Sequence, residues 1–228
     1  MRRTISGNVF TPFFCAGIAW LMVCFAANSA DHYQGFYFKA GAGPTLSEDV
    51  ELREFLDEPV GGAEIEFDPG VRFDVGVGYL WCPWFSTEFE TGFMWNSAKK
   101  VAGAFNNELS ISQVPFLGNL VFKLPNNSPF TPFVGVGGGG TISVLSADEF
   151  IFGSTLFDGT ESDVTYAYQG YAGVRYALNQ NMGLSLAYKY FATGKPEWSP
   201  DVLIGTFGDI STEEMRTHSV MLTFSFRF

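Results

Sequence analysis

Cysteine is nearly absent from this chain of 228 residues: there are three, and two of them, Cys15 and Cys24, fall in an N-terminal apolar segment. Arg2 and Arg3 precede a stretch from Phe13 to Ala27 that ends in the small residues Asn28, Ser29 and Ala30, the pattern of a cleaved secretory signal. The stretch is shorter than the ~18 apolar residues a spanning helix usually requires. Leu21-Met22-Val23-Cys24 has the spacing of a lipidation signal, but Val23 is bulkier than the small residue expected before a lipidated cysteine. Cleavage after Ala30 leaves Cys82 alone, which excludes an intramolecular disulfide and a cysteine-cluster metal site. The expected division is therefore 1–30 as an export signal and 31–228 as one domain.

Positive charge is also scarce. The whole chain carries 13 basic and 24 acidic residues, and loss of Arg2 and Arg3 leaves 11 − 24 = −13. Such a surface repels nucleic acid. Histidine is limited to His32 and His218. Beyond the signal no long apolar run exists, although the chain is 46% hydrophobic and 17% aromatic. That apolar surface must be buried by strands or presented to lipid. The run Gly137 to Gly140 is not followed by Gly-Lys-Ser/Thr and lies within a strand pattern, so it is read as strand glycine and not as a phosphate loop. No cofactor is expected.

What is present is alternation. Eight segments with a period of two run from Tyr33 to Gly43, Gly70 to Leu80, Phe85 to Asn96, Leu109 to Phe122, Phe130 to Ser143, Val164 to Leu178, Met182 to Phe191, and Arg216 to Phe228. Their connections alternate short and long. The short ones are Trp81 to Trp84, Lys123 to Pro129 and Asn179 to Asn181; the long ones are Pro44 to Pro69, Ser97 to Glu108, Val144 to Asp163 and Ala192 to Met215. An even strand count, short turns at one end and long loops at the other predict an all-β fold: an eight-stranded antiparallel up-and-down transmembrane β-barrel with short periplasmic turns and long extracellular loops.

Successive strand residues face opposite sides. In the last segment Val220, Leu222, Phe224, Phe226 and Phe228 share one phase, opposite Ser219, Thr223, Ser225 and Arg227. Lys39, Arg72, Asp74, Glu88, Glu90, Arg175, Lys189 and Arg227 all fall on the phase opposite the large apolar residues. A soluble lipocalin-like barrel would put the apolar phase in its lumen; a membrane barrel puts it towards lipid. Aromatics on one phase with Gly, Ser and Ala on the other favour the membrane barrel. An eight-stranded lumen is only wide enough for side chains to fill, so the eight charges are expected to form a structural, ion-paired lumen network, with Tyr37 and Gln169 filling gaps. Phe85 and Trp95, ten residues apart on one phase, are separated by roughly 24 Å along the membrane normal at ~3.4 Å per residue and ~45° of tilt, which matches the two aromatic girdles.

The segment from Val220 to Phe228 resembles the terminal strand of outer-membrane barrels, whose final aromatic is recognised by the assembly machinery; Phe224, Phe226 and Phe228 are the residues that match. Thr131 to Gly138, Gly170 to Tyr176 and Tyr37 to Gly43 are similar to the fifth, sixth and first strands of the small OmpA-like and opacity-protein barrels. The resemblance implies a monomer in the outer membrane of a Gram-negative-type bacterium, in contact with lipid and lipopolysaccharide. No OmpA-type periplasmic domain follows Phe228, so anchoring to the cell wall is not implied.

Nine acidic residues lie between Glu48 and Asp68, without calcium-loop spacing. Phe55, Leu56, Phe150, Phe152, Phe157, Trp198 and Phe207 accompany the loop charge and mark either partner contact or packing among the loops. A catalytic histidine would need an oriented partner. His218, with Glu213 or Glu214, is the candidate, but Ser219 points to the other face, so no enzyme is expected. The expected role is structural, adhesive or ligand-binding, carried by the acidic loops, with an external protein or host ligand as partner. The alternative is a narrow porin-like channel for small or hydrophobic solutes.

Overall fold

The computed structural model describes residues 34–55, 58–59, 64–101, 109–152, 155–198, 202–204 and 210–228. The export segment, His32, Leu56 and Phe207 lie outside them. Eight long strands follow one another: β1 (Gly35–Ser47), β2 (Gly70–Cys82), β3 (Phe85–Val101), β4 (Leu109–Lys123), β5 (Phe130–Phe152), β6 (Thr155–Ala177), β7 (Met182–Thr193) and β8 (Arg216–Arg227). Each pairs antiparallel with its neighbour in sequence, and β8 pairs back with β1, where Phe226 lies opposite Phe38. The sheet is closed, and none of the eight is left as an open edge.

Following the register once round the wall fixes the tilt. From Tyr37 the partners are Gly78, Glu88, Asn119, Gly137, Gln169, Phe191, Thr217 and finally Ser47, ten residues further along β1. A closed sheet with that stagger has strands tilted by roughly 35–45°.

The turns are closed by local polar chemistry. The Asn179 Oδ1 accepts from the backbone N–H of Asn181 at 2.9 Å and of Met182 at 2.7 Å, which folds the chain between β6 and β7. Asn126 does the same between β4 and β5, accepting from the N–H of Ser128 at 2.8 Å.

Burial follows the period of two. In β2 every second residue from Gly70 is buried, and Val71, Phe73, Val75 and Val77 on the other phase are about half exposed. Arg72, Asp74, Glu90, Gln169 and Lys189 are buried. The apolar phase therefore faces outward, which excludes the soluble, lipocalin-like alternative. Aromatics ring the turn end. Phe36 meets Tyr79 at 4.9 Å between centroids, Tyr79 meets Trp81 at 4.6 Å, Phe85 meets Phe122 at 5.3 Å and Phe130 meets Tyr176 at 5.0 Å. Trp95, Tyr166, Tyr168 and Tyr188 are exposed towards the loop end.

The described parts of the long connections carry strands of their own. β5 and β6 are 23 residues each, so the segment from Val144 to Asp163 is largely a hairpin standing beyond the barrel. Strand Glu64–Phe67 pairs with the outer end of β3, Val50–Phe55 with Glu64–Phe67, Ile210–Thr212 with Val50–Phe55, and Glu197–Trp198 with Ile210–Thr212. The physical reason is that a ladder needs only a partner for its N–H and C=O groups, not a lipid-facing side. The apolar alternation marks where the wall crosses lipid, and pairing continues past it.

Candidate functional site

The lumen gathers chemistry-bearing side chains from distant segments. Glycines on the inward phase make the room. A Cβ on Gly78 would stand 2.4 Å from the Tyr37 ring, and one on Gly135 would stand 2.2 Å from the Tyr171 ring. Both tyrosines lie across these glycines and point inward: Tyr37 donates to Glu88 Oε1 at 2.6 Å and Tyr171 to Glu88 Oε2 at 3.3 Å.

A single charged layer crosses the middle. Glu90, with no solvent exposure, accepts from Lys39 at 2.5 Å, Lys189 at 2.8 Å and Arg72 at 3.3 Å. Asp74 pairs with Arg72 at 2.9 Å and Lys189 at 2.6 Å, and Lys39 also pairs with Glu88. Gln169 ties the layer together, accepting from Arg72 at 3.0 Å and donating to Glu90 at 2.9 Å and Asn119 at 2.8 Å. Three cations face three carboxylates, so the layer is neutral. Buried charges persist only when paired in this way.

Arg175 and Arg227, expected in the same network, are not in it. They sit nearer the turn end, where Arg175 Nε donates to Ser225 Oγ at 3.4 Å and Arg227 Nη2 donates to the carbonyl of Gln180 at 2.8 Å. Lys123, read from sequence as a turn residue, ends β4 and stands 5.1 Å from the Tyr37 ring centroid. Its missed signal is its phase, which it shares with Asn119 and Val121, both buried.

Outward of the charged layer an apolar cluster stands among buried polar side chains, including Thr45, Asn96, Gln113, Thr141, Thr193 and Ser219. Met94, Leu117, Ala167 and Phe191 form a buried cluster, and Arg72 lies over the Phe191 ring at 5.4 Å. Further out Trp198 is 1% exposed and its indole N–H donates to the carbonyl of Ser143 at 3.2 Å. Trp198 is thus not an exposed loop tip; it helps fill the outer mouth.

His218 lies on the outer surface near the loop end. Its Nε2 is 2.8 Å from Glu48 Oε1 and its Nδ1 is 2.5 Å from the Tyr188 hydroxyl. The carboxylate beside it is Glu48, at the end of β1. Glu213 pairs instead with Lys195 at 2.6 Å, and Glu214 with Arg216 at 3.7 Å. The Ser219 hydroxyl points inward and donates to Thr45 at 3.1 Å, so it does not join the histidine. Phe224, Phe226 and Phe228 stay on the outward phase; Phe228 is 78% exposed and stacks edge-on against Phe226 at 5.3 Å.

The family model described as "outer membrane protein beta-barrel domain" matches residues 16–228. Solved barrels are similar at low identity. The outer membrane protein OprG from Pseudomonas aeruginosa aligns with a TM-score of 0.56 at 15% identity, covering 86% of this chain and 98% of its own. Neisserial surface protein A gives 0.53 at 13% identity, covering 85% and 97%. The outer membrane protein AlkL, solved in lipid bilayers, gives 0.50 at 19% identity, covering 89% and 94%. No curated protein sequence matches the chain.

Proposed function

This chain belongs to the outer membrane β-barrel domain family, and from that premise we propose that it is a closed surface barrel whose work is done by the strands and loops beyond the membrane, not by its lumen. The observation that carries this is the filled lumen. The Glu90-centred charged layer and the Met94–Leu117–Ala167–Phe191 cluster lie one behind the other across it. An ion crossing would have to break several buried pairs, each costly to separate, and then displace the packed Met94–Leu117–Ala167–Phe191 cluster.

The outer sheet built from Val50–Phe55, Glu64–Phe67, Ile210–Thr212 and Glu197–Trp198 is the surface offered to an external protein or host ligand. Its acidic sequence, with nine carboxylates between Glu48 and Asp68, favours a partner with basic patches. An export signal ending at Ala30, insertion by the outer-membrane assembly machinery through Phe224, Phe226 and Phe228, contact with lipopolysaccharide, and a monomeric state complete the proposal.

Planar-bilayer recording of the purified barrel tests it. No unitary conductance is expected, and exchange of the segment 48–68 for a neutral linker should abolish ligand or host-surface binding while the barrel stays folded. Discrete conductance steps would replace the proposal with the narrow-channel alternative, and undiminished binding after the exchange would remove the role of the acidic surface.

A further inference from the structure

Between the charged layer and the turn end lies a cavity of about 400 Å³, large enough for roughly a dozen waters at ~30 Å³ each. Its floor is Lys39, Asp74, Glu90 and Lys189, whose charges are already matched in the neutral layer. Its wall carries three further cations, Lys123, Arg175 and Arg227. No carboxylate among the described residues forms an ion pair with any of them. Glu88 is near enough to act on Lys123 through space, but its oxygens are taken by Lys39, Tyr37 and Tyr171. Arg227 acts on Arg175 as a like charge, and both act on Lys123.

We propose that this vestibule is a binding site for a small multivalent phosphate-type oxyanion, held by Arg175, Arg227 and Lys123. The cavity is built to keep the cations together. A Cβ on Gly183 would stand 2.4 Å from Arg175 Nε, so the bare backbone there is what lets the guanidinium lie against β7 and reach Ser225 on β8. Two guanidinium forks and an ammonium suit an oxyanion with several acceptor oxygens better than chloride. Three cations that lack an ion-paired carboxylate among the described residues repel one another in a narrow lumen, and an anion that bridges them turns that repulsion into binding. The vestibule opens at the turn end, so the ligand is either a free phosphate or a phosphate-bearing lipid headgroup at the rim.

The test is thermal unfolding of the full chain in uncharged detergent micelles, with inorganic phosphate or with sodium chloride at equal ionic strength. A third arm uses phosphate-free micelles doped with phosphatidylglycerol. Arg175→Gln/Arg227→Gln is the variant, with Lys123→Gln alone as the milder substitution if the double one does not fold. Phosphate is expected to raise the wild-type midpoint above the chloride control, and the variants should bind it at least tenfold more weakly by calorimetric titration. They should also unfold higher than wild type without phosphate, because the repulsion is gone. A response to the lipid but not to free phosphate assigns the same chemistry to a headgroup. Chloride acting as well as phosphate, no response to phosphate or lipid, or variants that respond like wild type would overturn the site.

Discussion

Replacing Glu90 by Gln keeps the shape of the side chain and removes one negative charge from the centre of the lumen. Glu90 is fully buried and accepts from Lys39, Arg72, Lys189 and Gln169 at 2.5–3.3 Å. In the variant three cations remain opposite Asp74 and Glu88, so one positive charge is left without compensation among side chains that are themselves buried. Breaking one side of a buried ion pair typically costs about 3–5 kcal/mol. The amide oxygen can still accept hydrogen bonds from the cations, so the lower part of that range is expected for Gln and a larger loss for Glu90→Lys. Urea unfolding in lipid vesicles, followed by tryptophan fluorescence and by heat-modifiable migration on gels, measures it. Glu90 and Lys189 are coupled at 2.8 Å, so Glu90→Met/Lys189→Met should cost clearly less than the sum of the two single changes. A loss below about 1 kcal/mol for Glu90→Gln, or strictly additive single changes, would refute the idea that the layer is a mutually dependent network.

Four further outcomes follow. Gly135→Val drives a side chain into the Tyr171 ring, 2.2 Å from the nearest carbon, and should cost about 1–3 kcal/mol in the same unfolding assay. Gly170→Ala, with nothing within 4 Å of its Cβ position, should change stability little. Val75→Arg places a charge on the lipid-facing phase midway along β2 and should cost about 2–4 kcal/mol, measured by folding into vesicles. Phe228→Ala removes a mostly exposed ring, so equilibrium stability should move by no more than about 0.5 kcal/mol. The folded, heat-modifiable fraction in cell envelopes should nevertheless fall; an unchanged fraction would show that the terminal aromatic is not an assembly signal.

Much of the fold is legible in the sequence. The inward or outward sense of Lys39, Arg72, Asp74, Glu88, Glu90, Arg175, Lys189 and Arg227 came from phase alone, as did the outward placement of Val220, Leu222 and Phe224. Strand ends were read short, because the apolar pattern marks lipid contact while backbone pairing runs on, as in β5 and β6. Trp198 falls in a long polar connection, which predicts a loop aromatic, and is buried under the outer mouth. The carboxylate beside His218 came from Glu48, 170 residues away, and not from its neighbours Glu213 and Glu214.

The division has one physical cause. Which side of the wall a residue faces is a local property, set by the alternation built into every extended strand, so sequence by itself determined it. The level a residue occupies along the barrel axis is not local, because it depends on the stagger accumulated over eight strand pairings. Only the closed structure could bring Lys189 to Asp74 across 115 residues of chain, stack Met94 and Phe191 beyond them, and gather Lys123, Arg175 and Arg227 at the turn end with no ion-paired carboxylate among the described residues.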